Sequence, residues 1–132
     1  MADSSLQARG NAVYQLTTVD FSASRGLLTK VTAGVLAVND SATVPAVGIV
    51  LDGAAVGKPS AIGILGALPG PVFVKLGGTV AAFSRIQQNN DGTVIADAGA
   101  GNARVVVGCL GEVGGVAGDY VPASLFTPMI LP

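Results

Sequence analysis

The sequence predicts an all-β fold, a small β-barrel or sandwich of short strands joined by Gly-rich turns and preceded by an extended N-terminal arm. Three observations carry this expectation. Val-rich apolar runs recur along the chain at strand length. They are broken by 19 glycines and seven prolines, so that no Gly-free stretch suits a set of long helices. Aromatic residues are scarce, with four Phe, two Tyr and no Trp, which leaves Val, Ala, Leu and Ile to fill the core. At 132 residues the chain can bury about two thirds of its unfolded surface, enough for one core in a single domain over residues 13–132.

The elements follow in order. Met1 to Ala12 is polar or small apart from Leu6 and has no periodicity, so it reads as an arm that cannot fold alone. An apolar anchor, Leu6, with hydrogen-bonding neighbours Gln7 and Arg9 suits a segment that orders on a partner. It would do so by adding a strand to a sheet edge or by lying in a groove. Val13, Tyr14, Leu16 and Val19 begin the patterned chain, and Ser22 to Gly26 forms a polar loop. Leu27 to Val38 divides around Thr32, Ala33 and Gly34 into a hairpin. Val44 to Leu51 is a strand in which Pro45 marks an edge or a start, and Asp52-Gly53 ends it. Ala61 to Leu65 resumes the sheet until Gly66 to Pro71, where two prolines without donors forbid a ladder.

Val72 to Leu76 is the next strand, and Gly77-Gly78 has the composition of a two-residue turn. Thr79 to Ile86 stays open between a strand and a helical turn, because Val80, Phe83 and Ile86 also recur at helical spacing. Gln87 to Gly92 is a polar connector, Thr93 to Ala96 a short strand, and Ala98 to Asn102 a flexible link. Ala103 to Leu110 is the strongest β run, and Asp119 to Phe126 a final strand ending in a short apolar tail, Phe126 to Pro132. VGIVLDGAAVGKPSAI from Val47 echoes VGCLGEVGGVAGDYVPAS from Val107 about 60 residues later, with a one-residue gap. Either a duplication or two convergent Gly-turned hairpins would produce that likeness.

Chemistry is conspicuously lacking. Histidine is absent, which removes the commonest general base and metal ligand. The eight carboxylates lie mostly beside Gly, Asn or Ser, where an acidic side chain bonds its own turn, so no catalytic pair and no metal site is expected. Asn89 to Gly92 lacks the alternating ligands of a calcium loop, and the glycines match no nucleotide-binding fingerprint, so no cofactor is expected. Cys109 stands alone among valines and reads as a small buried hydrophobe. The seven cations are dispersed without aromatic interleaving, and no apolar run is long enough to span a bilayer or act as an export signal. Nucleic acid and membrane are therefore unexpected partners. Charged residues make up only 11% of the chain, against about 25% for an average domain, and an undercharged surface suits self-association or docking on another subunit.

The succession VGIVLDGAAVGK, KLGGTVAAFSRI, DGTVIA and VVGCLGEVGGVAGDYVPASL resembles the small capsid cement, or head decoration, proteins of tailed phages. The resemblance runs from about Val44 to Leu125. It implies a non-enzymatic structural protein of the virion, made in the host cytoplasm and bound to the outer capsid surface. It further implies a homotrimer or similar ring that contacts the major capsid protein where capsomers meet. Leu6, Gln7 and Arg9 of the arm are then candidate capsid contacts. The rival expectation is another virion or surface β module, such as a tail or fibre component.

Overall fold

The computed structural model describes residues 18–132 and, ahead of them, the strand backbone of residues 12–16. The candidate contacts Leu6, Gln7 and Arg9 lie outside the described residues. The ten strands are β1 (Ala12–Leu16), β2 (Leu28–Thr32), β3 (Val35–Val38), β4 (Gly48–Asp52), β5 (Pro59–Ile64), β6 (Val72–Lys75), β7 (Arg85–Gln88), β8 (Val94–Ala96), β9 (Arg104–Leu110) and β10 (Tyr120–Leu131). The fold is all-β, as the short Val-rich runs required. The strands form two curled five-stranded sheets, ordered β1-β5-β4-β2-β3 and β6-β10-β9-β7-β8, with antiparallel neighbours throughout.

These orders are the same order, displaced by five strands. The correspondence extends to single hydrogen bonds. Val50 donates its amide to Leu27 (3.0 Å) as Leu110 does to Ser84 (2.9 Å). Asn39 donates to Leu28 (2.8 Å) as Asp97 does to Arg85 (3.0 Å), and Phe21 to Ala54 as Val80 to Gly115, both 2.9 Å. Gly48 and Gly108 hold equivalent places in β4 and β9, where an added Cβ would fall 2.7 and 2.3 Å from a carbonyl oxygen of the neighbouring strand. The likeness between Val47 and Val107 is thus part of a repeat that takes in five strands on each side. Convergent hairpins would not reproduce the pairing of β1, β2 and β3 as well.

The halves do not use the same faces. Leu28 and Ile49, cross-strand partners in the first sheet, are fully buried in the main core with Val74, Leu76, Ile86, Val94, Val105 and Val107 of the second half. Their counterparts in the second sheet are Arg85, which is exposed, and Cys109, which is half-buried. A smaller cluster of Phe21, Val50 and Ile62 packs on the opposite face of the first sheet, flanked by Val19, Leu36 and Val38. The halves are also stitched by backbone: Leu28 donates to Gly92 (2.8 Å) and Lys75 to Gly26 (3.0 Å).

Several expectations are corrected. Cys109 lies in a central strand but on its outer face, opposite Ser124 and Arg85, so it is half-buried and not part of the core. The connector expected from Gln87 begins later, because Gln87 and Gln88 belong to β7 and Gln88 is fully buried. Thr79 to Ile86 is neither one strand nor a helical turn. Val80 bridges Gly115, a turn follows with Phe83 at φ 62°, and β7 starts at Arg85. Gly77-Gly78 does not reverse the chain into a hairpin, since Leu76 just before it bridges Val94 in parallel. Phe126 to Leu131 is no tail. It continues β10 past an irregularity at Leu125/Met129 and pairs Met129, Ile130 and Leu131 with Val106, Val105 and Arg104.

The two halves close the loop after their third and eighth strands with the same device in different chemistry. In the first, the carboxamide oxygen of the buried Asn39 accepts the Ser41 amide (2.9 Å). In the second, Asp97 accepts the Gly99 amide (3.1 Å) and is also gripped by Arg104 Nε and by Arg85 Nη2 (2.6 Å). Arg104, itself buried, donates onward to the main-chain oxygen of Pro132 (2.8 Å), which ties β10 to this loop. Burial pushes the Asp97 carboxyl up, but the hydrogen bonds from Arg104, Arg85 and Gly99 outweigh it and hold the pKa from an ordinary 3.8 down to about 2.

A depressed carboxylate stabilises the fold above its unfolded pKa, and that contribution is lost as pH falls towards the folded value. Stability is therefore expected to drop by about 1–2 kcal/mol between pH 4 and pH 2, allowing for solvent screening at a side chain that keeps 11% exposure. Denaturation curves of the native chain and of Asp97→Asn across this window check it. An equally steep acid loss in the variant would clear Asp97 of the effect.

Candidate interaction surface

The outer face of the second sheet at β6 and β10 is built by alternation. In β6, Val74 points into the core while Phe73 and Lys75 point out; in β10, Val121 and Ala123 point in while Tyr120, Pro122 and Ser124 point out. Antiparallel register sets Phe73 beside Pro122 and Lys75 beside Tyr120. Phe73 keeps 49% of its surface exposed and Tyr120 45%, high values for rings on a paired sheet.

Both rings carry a cation. The Arg25 guanidinium lies 5.7 Å from the centre of the Phe73 ring, and the Lys75 ammonium 5.9 Å from that of Tyr120. Arg25 is brought there by the loop ahead of β2, whose Gly26 accepts the Lys75 amide and packs so close that an added Cβ would stand 3.1 Å from the Tyr120 ring. One surface thus combines a loop of the first half with two strands of the second. Among the described residues the ion pairs are Lys30–Asp40, Arg85–Asp97 and Arg104–Asp97, so neither Arg25 nor Lys75 is matched to a carboxylate.

Two further apolar features flank the domain. Phe83 is 71% exposed although its backbone takes the left-handed conformation that its counterpart Gly26 takes at φ 79°. An open groove of about 460 Å³ runs along the β10 irregularity, lined by Gly66, Leu125, Phe126, Thr127, Pro128 and Met129. Among the described residues, no three His, Cys, Asp or Glu side chains are grouped to hold a metal ion, and no helix is long and apolar enough to cross a membrane.

Sequence reading missed Arg25, Phe73, Lys75 and Tyr120 as a group because they come together only through the β6–β10 pairing and the insertion of the Arg25 loop. The signal present was the outward phase of Phe73 and Lys75 in one strand and of Tyr120 and Pro122 in another. No protein-family model matches the chain, and no curated protein matches it.

Proposed function

We propose that the chain is a non-enzymatic decoration protein that binds the outer surface of a tailed-phage capsid and stabilises the shell. The observation that carries the reading is a sheet face on which Phe73 and Tyr120 stay about half exposed beside Arg25 and Lys75, cations matched to no carboxylate among the described residues. The resemblance to cement proteins supports it, because the quoted motifs fall on the equivalent hairpins β4–β5 and β9–β10 and on the chain between them. Modest affinity per copy suffices, since a trimer on a symmetric particle engages several sites at once.

The test is to mix the protein with undecorated heads and image them. Density is expected on the outer surface where capsomers meet, and light scattering of the free protein is expected to report a trimer. Fibres or open polymers would instead favour a tail component. Deleting residues 2–11 is expected to leave the thermal midpoint nearly unchanged and to weaken attachment at least tenfold, about 1.4 kcal/mol. Unchanged affinity would remove Leu6, Gln7 and Arg9 from the contact.

A further inference from the structure

We propose that the Arg25–Phe73–Lys75–Tyr120 face docks a protein segment bearing carboxylates beside apolar side chains. The proposal rests on the reading of the chain as a protein-binding module and names the chemistry of what it binds. On the same side of the first sheet, Leu28 and Ile49, the equivalents of Arg85 and Cys109, are covered by the other half of the chain. In the second sheet that side leaves Phe73 49% and Tyr120 45% exposed, with Arg25 and Lys75 matched to no carboxylate among the described residues.

Each cation lies over a ring and is matched to no carboxylate among the described residues, so its charge is left for a partner to meet. The Asp119 carboxylate next to Tyr120 is already committed to the Val116 amide (2.9 Å). An incoming carboxylate therefore meets two positioned, unmatched cations, while the rings supply apolar contact around it, a combination typical of interface anchors. Two cations make no track along a phosphate backbone, so a protein segment suits the face better than nucleic acid.

Poly-L-glutamate and single-stranded DNA serve as probes, read by amide chemical shifts in the native chain, in Arg25→Glu/Lys75→Glu, and in Phe73→Ser. Poly-L-glutamate is expected to shift signals of Arg25, β6, Tyr120 and Val121, with affinity falling at least tenfold in the double variant. Should that variant not fold, Arg25→Gln/Lys75→Gln takes its place. No shift, shifts confined to other faces, or equal affinity in the variants would overturn the proposal. Preferential DNA binding at this face would overturn it in favour of a nucleic acid. Salt-sensitive self-association abolished by the same variants would assign the face to a second copy and overturn it too.

Head attachment separates this proposal from the reading beneath it. If native protein and double variant decorate heads equally, the docking face is wrong and the decoration role stands. If the native protein does not decorate heads while the poly-L-glutamate shifts persist, the decoration role is wrong and the carboxylate-binding face stands.

Discussion

Replacing Gln88 with alanine is expected to cost about 3–5 kcal/mol of folding stability, the sum of a cavity and of lost hydrogen bonds in a dry site. Gln88 is fully buried on β7. Its carboxamide nitrogen donates to the carbonyls of Val44 (2.8 Å) and Ser41 (3.1 Å), and its oxygen accepts the Ala46 amide (2.7 Å). One side chain from the second half thereby holds the whole connection into β4 of the first. Truncation strands the Ala46 donor and removes a partner from both carbonyls; Val44 alone keeps a second, longer contact from Asn39 (3.4 Å). Urea titration measures the loss. A cost below about 1 kcal/mol would mean that the loop satisfies these groups without Gln88.

An effect of comparable size is expected for Gly53→Ala, at least about 3 kcal/mol. A Cβ at Gly53 would stand 1.7 Å from the carbonyl oxygen of Phe21, a backbone atom that no rotamer change can move. Phe21 cannot retreat cheaply either, because its ring is fully buried with Val50 and Ile62 and its amide donates to Ala54. The equivalent Gly114 approaches the Val80 carbonyl in the second half, with an added Cβ at 2.5 Å, so Gly114→Ala should be severe in the same way. Gly111 has open space around its Cβ direction and serves as the control, with Gly111→Ala expected within about 0.5 kcal/mol of the native chain. Similar midpoints for all three variants would show that the loops ahead of β2 and β7 shift freely.

What the sequence made legible was local. Apolar runs bounded by Gly and Pro located most strands, and Ala33-Gly34 announced the β2–β3 hairpin because its two-residue turn needs positive φ at both positions, found at 50° and 78°. What was illegible depended on partners distant in the chain. Gln88 reads as a polar connector until the Ser41 to Ala46 loop is set against it. Cys109 reads as core until its phase is fixed by pairing with Ser124 and Arg85. Phe126 to Leu131 reads as a tail because its strand partner, Arg104 to Val106, is fixed only after three residues of β10 bulge past Val107. The candidate docking face was hidden for the same reason, since alternation shows which side chains share a face of one strand but not which strands lie side by side.

Because each sheet is drawn from one uninterrupted half of the chain, the protein can begin to fold before its synthesis is finished. Every strand of the N-terminal sheet has been made by Ile64, and Phe21, Val50 and Ile62 form a cluster drawn from that half alone. At roughly 5–20 residues per second, the ribosome then takes several seconds to deliver the other sheet. During that interval Leu28 and Ile49 face water, awaiting the β7–β8 turn whose Gly92 will accept the Leu28 amide. Aggregation of the nascent chain is therefore expected to fall once the second half covers Leu28 and Ile49.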